Sequence, residues 1–127
     1  MNLAVVSAGS NIEPRKNMLT ACEIIASEQV LLHRSEFILT KPIGYSDQPD
    51  FLNCCLLIQT KLPQDGFKTY LRKTETKIGR VRTGNKNGPR AIDLDIIAWN
   101  GAIVNSDYYE RDFVRTATDF LLNRRVF

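Results

Sequence analysis

The chain has 127 residues, 43% of them hydrophobic and 24% charged, so we expect residues 1–127 to form one domain that acts as a monomer. No apolar run is long enough for a membrane span, and the N-terminus lacks the basic start of a signal peptide, which predicts a cytoplasmic protein without membrane contact. Three cysteines and one histidine argue against a disulfide framework and a zinc site, and a net charge of +3 is too small to indicate nucleic acid.

The first third of the chain predicts a strand, a helix and a second strand. The apolar run from Leu3 to Ser7 ends in a glycine-containing turn, which lacks the lysine and hydroxyl of a phosphate-binding P-loop. Pro14 suits the first turn of a helix, and apolar residues at three- and four-residue steps extend that helix from about Arg15 to Glu28. The irregular apolar pattern from Gln29 to Leu39 predicts the second strand, and residues 40–50 read as a loop.

Alternation between apolar and other side chains predicts a third strand from Phe51 to Thr60. Phe51 and Asn53 share the face opposite the apolar one. An aromatic ring can stack on a flat heterocycle, and an amide offers both donors and an acceptor to the edge of that heterocycle. The pair therefore predicts a pocket. The alternative is a packing aromatic beside a surface amide, which is commoner in sheets.

The second half of the chain predicts a helix, a strand, a hairpin turn and a terminal helix. Pro63 starts the helix and Gly79 ends it, and a basic, glycine-containing loop leads into a strand from Ala91 to Trp99. Asn100-Gly101 is typical of a hairpin turn, and apolar residues from Phe113 to Leu122 fit a short helix. The order β-α-β-β-α-β predicts an α+β, ferredoxin-like antiparallel sheet with both helices on one face.

Asp93 and Asp95 alternate with the apolar, even-numbered residues from Ile92 to Ala98, so in a strand both carboxylates project from one face. Like charges roughly 7 Å apart repel each other, and a divalent cation such as Mg²⁺, which prefers oxygen ligands, would relieve the repulsion. From Lys68 to Arg90 the chain carries eight Lys or Arg and one acid, Glu75. This combination suits a Mg-polyphosphate site, whereas a bare Asp-x-Asp would more often be the solvated side of a strand.

The segments around these carboxylates resemble the signature of a known enzyme family. Gly79-Arg80-Val81-Arg82, followed by the segment from Gly88 to Ile96 (G-P-R-x-x-D-L-D-I), resembles 6-hydroxymethyl-7,8-dihydropterin pyrophosphokinase. The segment Asp47–Asn53 resembles the pterin-binding D-Q-P-x-[FY]-x-N of that family, and residues 110–114 resemble its [E/N]-R-x-F-[VM] segment. The resemblance spans residues 3–114, with the motifs in the family's order.

The resemblance implies transfer of a diphosphate from ATP to the hydroxyl of 6-hydroxymethyl-7,8-dihydropterin, giving AMP and the pterin diphosphate in folate biosynthesis. It implies ATP as co-substrate and two Mg²⁺ ions on Asp93 and Asp95. The residues it implies for catalysis are Arg80, Arg82, Arg90, Asp93 and Asp95. Those it implies for the nucleotide are Glu75, Arg80, Arg82, Lys86, Arg90, Ile96 and Arg111. Those it implies for the pterin are Gly9, Thr40, Ile43, Phe51, Asn53 and Phe113.

Three features depart from the family pattern. Lys86 and Asn87 stand where members often carry Arg-Trp, and the chain ends soon after the R-x-F segment. The segment between Asn105 and Arg111 is several residues shorter than in the family and lacks its Pro-His dipeptide. From this shortened segment, the side chains that could approach the phosphates of ATP are those of Tyr108, Tyr109 and Arg111.

Two other classes of function stay open beside the transferase. One is a pterin- or nucleotide-binding descendant of the family with little transferase activity. The other is an RNA-binding module, which needs exposed aromatic residues on its first and third strands. The first strand contains none, so this alternative is the weaker.

Overall fold

The computed structural model describes residues 1–44, 46–80 and 89–123, which form an antiparallel sheet with helices on both faces. The strands are β1 (Asn2–Ser10), β2 (Val30–Arg34), β3 (Ile38–Thr40), β4 (Phe51–Thr60), β5 (Asp93–Trp99) and β6 (Ala102–Ile103). The helices are α1 (Pro14–Glu28), α2 (Gln64–Ile78), α3 (Asp107–Glu110) and α4 (Asp112–Leu122). No helix in these ranges is both long and apolar enough to cross a membrane.

The strands are arranged in the order β2-β4-β1-β5-β6, and β3 pairs with the beginning of β4. All the pairings are antiparallel, with β1 in the centre between β4 and β5. This topology confirms the predicted α+β fold. The expected second strand is, however, broken into β2 and β3. The break is at Ser35, whose N–H donates to the Cys55 carbonyl (2.9 Å) and whose Oγ accepts from the Cys55 N–H (2.7 Å), so a side chain replaces one ladder bond.

The larger core lies between the sheet and helices α1 and α2. It buries Met18 and Ile25 of α1 and Phe67 and Leu71 of α2 against alternate residues of β1, β4 and β5. Each such side chain contributes roughly 1.5–3 kcal/mol when it leaves water. The expectation that these two helices share one face of the sheet is therefore confirmed.

The opposite face has its own smaller core under α4. Val114, Ala117 and Leu121 pack there against residues of the three central strands, among them Leu57 and Ile97. The terminal helix predicted from Phe113 to Leu122 thus has a role that the sequence pattern did not reveal, because it covers the second face. The cavity described below opens beside the first turn of α4.

A β-bulge in β5 corrects the predicted alternation of that strand. Val6 pairs with Ile96 and Val5 pairs with Ala98, so Ile97 has no direct partner on β1. Ile97 and Ala98 consequently both enter the core under α4, whereas Ala98 was expected to share the face of Ile96. The bulge lies after the two aspartates, so Asp93 and Asp95 still share one face.

Local backbone geometry supports two of the predicted turns. Asn100 and Gly101 both have positive φ (50° and 87°), as the tight turn between β5 and β6 requires. Gly79 has φ 111° and closes α2 with its N–H on the carbonyls of Glu75 and Thr76. The three cysteines are free, and burial raises the pKa of the Cys54 and Cys55 thiols, in keeping with small buried hydrophobic residues.

Candidate active site

A cavity of about 210 Å³ lies over the central strands beside the first turn of α4. Residue Gly9 of β1 pairs with Asn53 of β4 on one side and with Asp93 of β5 on the other. Directly paired residues of a sheet face the same way, so these three form a row across the cavity floor. Asn53, predicted to bind a heterocycle, and Asp93, predicted to bind a metal, are therefore separated in this row by Gly9.

Gly9 keeps the middle of this row open. A Cβ at this position would lie 3.1 Å from Asn53 Oδ1 and 3.8 Å from Cδ1 of Phe51. The first distance is shorter than an ordinary van der Waals contact, so an alanine would require the Asn53 amide to shift by a few tenths of an ångström. Gly9 was expected in the turn after the first strand but lies within β1, where it forms the floor between Asn53 and Asp93.

Asn53 is only 5% exposed, and its orientation is fixed by hydrogen bonds. Its Nδ2 donates to Thr40 Oγ1 (2.7 Å) and to the carbonyls of Ile38 and Phe51 (both 3.1 Å). The amide oxygen consequently lies on the side of Gly9 and the cavity. An acceptor held in this way suits a ligand that presents N–H groups along one edge.

The six residues predicted to hold a heterocycle all line this one cavity, and we call them the aromatic side: Gly9, Thr40, Ile43, Phe51, Asn53 and Phe113. Ile43 is 59% exposed and lies at the rim. Phe113 also packs against the core beneath α4, which anchors its ring. The guanidinium carbon of Arg90 lies 6.0 Å from the centroid of the Phe51 ring, so the aromatic side adjoins the arginine.

A network of ion pairs adjoins the aromatic side. We call this network the charged side, and it consists of Arg72, Glu75, Arg80, Arg90, Asp93 and Asp95. Asp93 accepts hydrogen bonds from Arg80 (2.7 Å) and Arg90 (3.4 Å). Asp95 accepts from Arg72 on α2 at 3.1 Å. Of these residues, Arg90, Asp93 and Asp95 line the cavity.

Glu75 is the buried centre of the charged side, with 1% of its surface exposed. Its Oε2 accepts from Arg72 (2.6 Å), from Arg80 (3.1 Å) and from the backbone N–H of Leu94 (2.7 Å). Leu94 stands between the two aspartates. One carboxylate therefore fixes both arginines and the strand that carries Asp93 and Asp95.

The electrostatics of the aspartate pair favour a cation. Burial, followed by the negative charge of Asp93, raises the pKa of Asp95 to about 6, although Arg72 pulls it down. The side chains of Asp93 and Asp95 are 26% and 31% exposed, so a ligand in the cavity can reach them. Mg²⁺ typically takes one or two carboxylates and completes its shell with water and phosphate oxygens, so the donor set fits this ion. Within the described ranges no group of three or more His, Cys, Asp or Glu forms a metal cluster.

The remaining predicted residues lie around the cavity or outside the described ranges. Arg111, at the start of α4, lines the cavity. Ile96 faces a neighbouring cavity of about 250 Å³ that also reaches Asp95, Arg72 and Lys68. Arg82 and Lys86 fall among residues 81–88, which the structure does not describe.

Tyr108 and Tyr109 were expected to approach the phosphates from the short segment before α4, and the structure places their side chains elsewhere. The Tyr108 hydroxyl donates to Asp119 Oδ1 at 2.7 Å, which holds this side chain along α4. Tyr109 is 68% exposed and packs edge-on against Tyr108. Neither tyrosine lines the cavity, whereas Arg111 does so together with Asp107. Tyr108 packs instead against the core under α4.

Sequence reasoning missed several residues of the site, among them Arg72, Lys41, Asp107 and Ser7. Arg72 belongs to the basic stretch and precedes Glu75 by one helical turn, a spacing that indicates an ion pair, but its contact with Asp95 depends on the packing of α2 against β5. Asp107 and Ser7 line the cavity without any pattern that distinguishes them from other polar residues.

Comparison with known proteins agrees with the motifs. Residues 5–121 match the model of the family described as 7,8-dihydro-6-hydroxymethylpterin-pyrophosphokinase (HPPK). The chain is 36% identical over 110 residues to the 2-amino-4-hydroxy-6-hydroxymethyldihydropteridine pyrophosphokinase of Methylorubrum extorquens, covering 84% of this chain and 69% of that protein. It is 32% identical over 125 residues to the protein of the same name from Haemophilus influenzae, covering 90% and 78%.

A longer relative is the folic acid synthesis protein FOL1 of Dictyostelium discoideum, which is 31% identical over 122 residues. That match covers 89% of this chain but 18% of the Dictyostelium protein. The matched residues include nearly all of both hydrophobic cores and every residue that lines the cavity. The resemblance inferred from the motifs is confirmed, and the chain belongs to the 7,8-dihydro-6-hydroxymethylpterin-pyrophosphokinase family.

Proposed function

We propose that this protein transfers the terminal diphosphate of ATP to the hydroxyl of 6-hydroxymethyl-7,8-dihydropterin, releasing AMP. The observation that carries the proposal is the single cavity in which an aromatic side adjoins two carboxylates and an arginine. A flat, hydrogen-bonding heterocycle suits the first surface, and a metal-bound polyphosphate suits the second. The membership of the chain in a pyrophosphokinase family supports the same reaction.

On the aromatic side, Phe51 and Phe113 would hold the pterin between them. The oxygen of Asn53 would accept from N–H groups of the pyrimidinone ring, and Thr40 would keep the amide turned towards the ligand. Ile43 would cover the ring at the rim. Since the Asn53 amide is already fixed, little reorganisation is needed when the pterin binds.

On the charged side, Asp93 and Asp95 would hold Mg²⁺, for which the family resemblance implies two ions. When bound, the metal would supply positive charge that neutralises the phosphates. Arg80 and Arg90 would exchange Asp93 for phosphate oxygens and stabilise the charge that develops on the departing AMP. Glu75, Ile96 and Arg111, with Arg82 and Lys86 outside the described residues, complete the proposed nucleotide site.

The floor of the cavity would bring the two reactants together. Neighbouring strands of a sheet lie about 4.8 Å apart, so Asn53 and Asp93 are roughly 10 Å apart across Gly9. A pterin on Asn53 would then present its hydroxymethyl group above Gly9, beside a phosphate held over Asp93. Such positioning is the main contribution a protein makes to phosphoryl transfer, in which it does little covalent chemistry.

An assay for AMP release tests this function. The native protein is incubated with ATP, Mg²⁺ and the hydroxymethyl dihydropterin, with Asp95→Asn as the blank, and we expect AMP and pterin diphosphate in equal amounts. Binding of both ligands without release of AMP would favour the alternative of a binding protein. We further propose that the chain acts as one domain and as a monomer in the cytoplasm, and size-exclusion chromatography tests the oligomeric state.

A further inference from the structure

Arg72, on α2, holds Asp95 from outside the cavity of the proposed reaction. Its Nη2 donates to Asp95 Oδ1 at 3.1 Å, and its Nη1 donates to Glu75 Oε2 (2.6 Å) and to the Leu94 carbonyl (2.9 Å). Arg72 does not line that cavity but lines the neighbouring one of about 250 Å³, and Asp95 lines both. Asp95 therefore stands between the two cavities, with the guanidinium of Arg72 on the side of the second.

The orientation of this guanidinium is fixed by buried partners. Glu75 is 1% exposed, and Leu94 is fully buried. A guanidinium is planar, so the two hydrogen bonds of Nη1 also fix the direction in which Nη2 donates. The Asp95 carboxylate is consequently held in one orientation through its Oδ1.

The two aspartates differ in how many of their oxygens are occupied. Both oxygens of Asp93 accept hydrogen bonds, Oδ1 from Arg80 (2.7 Å) and Oδ2 from Arg90 (3.4 Å). Asp95 accepts through Oδ1, and among residues 1–44, 46–80 and 89–123 its Oδ2 has no hydrogen-bond donor. One carboxylate oxygen of the pair is thus open to a cation while Arg72 keeps its contact.

We propose that Arg72 is a positioning residue that makes Asp95 a one-oxygen metal ligand and thereby favours Mg²⁺ over Ca²⁺. The inference rests on the proposed function, since it assumes that Asp93 and Asp95 hold the metal that accompanies ATP. Mg²⁺ demands near-ideal octahedral geometry, whereas Ca²⁺ takes roughly six to eight oxygens in flexible geometry, often both oxygens of one carboxylate. To offer both oxygens, Asp95 would have to lose its charge-assisted bond to Arg72.

This role differs from that proposed for Arg80 and Arg90. Those two arginines contact Asp93 and would exchange it for phosphate oxygens, whereas Arg72 would keep its contact with Asp95 in the loaded site. The positive charge of Arg72 lowers the affinity for every divalent cation, while the orientation that it imposes acts on the choice between two cations. A comparison of Mg²⁺ with Ca²⁺ therefore separates orientation from charge.

The test measures a selectivity factor, defined as the dissociation constant of the calcium complex of an ATP analogue divided by that of its magnesium complex. The analogue carries a methylene group between the α and β phosphorus atoms, so that no transfer occurs, and calorimetry with the metal ion in excess gives both constants. For the native protein we expect a factor greater than unity. In Arg72→Gln it should fall about tenfold, the lower end of the range for partners that orient a metal ligand.

A second variant keeps the charge and removes the orientation. In Arg72→Lys a single ammonium replaces the planar fork, so Glu75, the Leu94 carbonyl and Asp95 are no longer held in one arrangement. The selectivity factor should fall as in Arg72→Gln, although both affinities stay closer to those of the native protein. This variant decides the matter if Arg72→Gln does not fold.

Arg115→Gln is the matched control. Arg115, on α4, pairs through its Nη2 with Oδ1 of Asp112, and neither residue lines either cavity. The substitution removes the same charge and the same kind of ion pair. The selectivity factor of this variant should equal that of the native protein.

Several results would overturn the inference. One is an unchanged selectivity factor in Arg72→Gln or in Arg72→Lys, even if stability or both affinities change, because Arg72 would then act only through the fold or through its charge. Another is a native protein that binds the calcium complex more tightly than the magnesium complex, which leaves the proposed function standing. A native protein that binds neither complex would remove the proposed function and the inference with it.

Discussion

The two sides of the cavity are held by different forces. The aromatic side is fixed by the register of β1, β3 and β4 and by neutral hydrogen bonds of Asn53. The charged side is fixed by three arginines shared among three carboxylates, with Glu75 at the centre. The first surface is complete without its ligand. The second has to exchange carboxylates for phosphates when a nucleotide arrives.

This difference indicates where substitutions should affect binding and where they should affect the fold. A buried charge that loses its partners destabilises the protein strongly, whereas a truncated ring at a cavity wall mainly weakens one ligand.

Removing either metal-binding carboxylate should have the largest effect. We expect Asp93→Asn and Asp95→Asn to abolish Mg-dependent nucleotide binding and to lower turnover at least ~10³-fold, because phosphate charge then lacks its counter-ion. Calorimetry with Mg²⁺ and the methylene analogue of ATP, which carries a methylene group between the α and β phosphorus atoms and cannot be cleaved there, measures the first effect. Asp112→Asn, at a 92% exposed side chain, is the control and should behave as the native protein. Native affinity in Asp95→Asn would refute the assigned metal site.

Neutralising the centre of the charged side should affect the fold. Glu75→Gln leaves two arginines and a backbone N–H around a neutral amide, and breaking a buried ion pair typically costs about 3–5 kcal/mol. The free energy of unfolding in urea measures this loss. Glu28→Gln removes a charge from an exposed pair with Lys77 and should cost no more than about 1 kcal/mol. Equal losses in the two variants would contradict the central role of Glu75.

Truncating the aromatic side should affect one ligand. Phe51→Ala is expected to weaken pterin binding by about 1–3 kcal/mol, the range for a base stacked on an aromatic side chain. The affinity for the methylene analogue should change little, because Phe51 belongs to the aromatic side and its ring centroid lies 6.0 Å from the Arg90 guanidinium carbon. Titration of each ligand separately checks this. Equal losses for both would mean that Phe51 supports the whole cavity.

The smallest effect concerns pH. Burial and the charge of Asp93 raise the pKa of Asp95 from 3.8 to about 6, so the folded protein binds this proton more tightly than the unfolded chain. The stability contributed by Asp95 is therefore complete below about pH 4 and is lost as the pH rises through 6. Because the side chain is 31% exposed, we expect a loss of about 1–2 kcal/mol. Urea unfolding in EDTA at several pH values should show this loss in the native protein and not in Asp95→Asn; the same pH profile in both would exclude Asp95 as its source.

Much of the fold followed from local patterns. The ten residues of β4 were predicted with correct bounds from their alternation, and Asn100-Gly101 specifies its turn through two positive φ angles. The bulge at Ile97 and the break at Ser35 were missed. Each depends on hydrogen bonds to a neighbouring strand, and a single sequence gives no signal for these.

Only part of the site could be predicted from local patterns, for the same reason. Asp93 and Asp95 share a strand, so their common face follows from a period of two. The positions of Gly9 and Asn53 beside them depend on register between strands, and here the family resemblance supplied what the pattern could not. Arg72 was missed because its contact with Asp95 joins a helix to a strand, and the two residues are 23 positions apart in the chain.

The proposed transfer of a diphosphate is tested most directly by following the phosphorus atoms of ATP. The native protein is given the hydroxymethyl dihydropterin, Mg²⁺ and ATP labelled at the α, β or γ phosphorus in separate reactions, and the products are separated after a single turnover. We expect the β and γ labels to move together into the pterin while the α label stays in AMP. Transfer of the γ label alone with formation of ADP, or release of inorganic diphosphate without a labelled pterin, would contradict it.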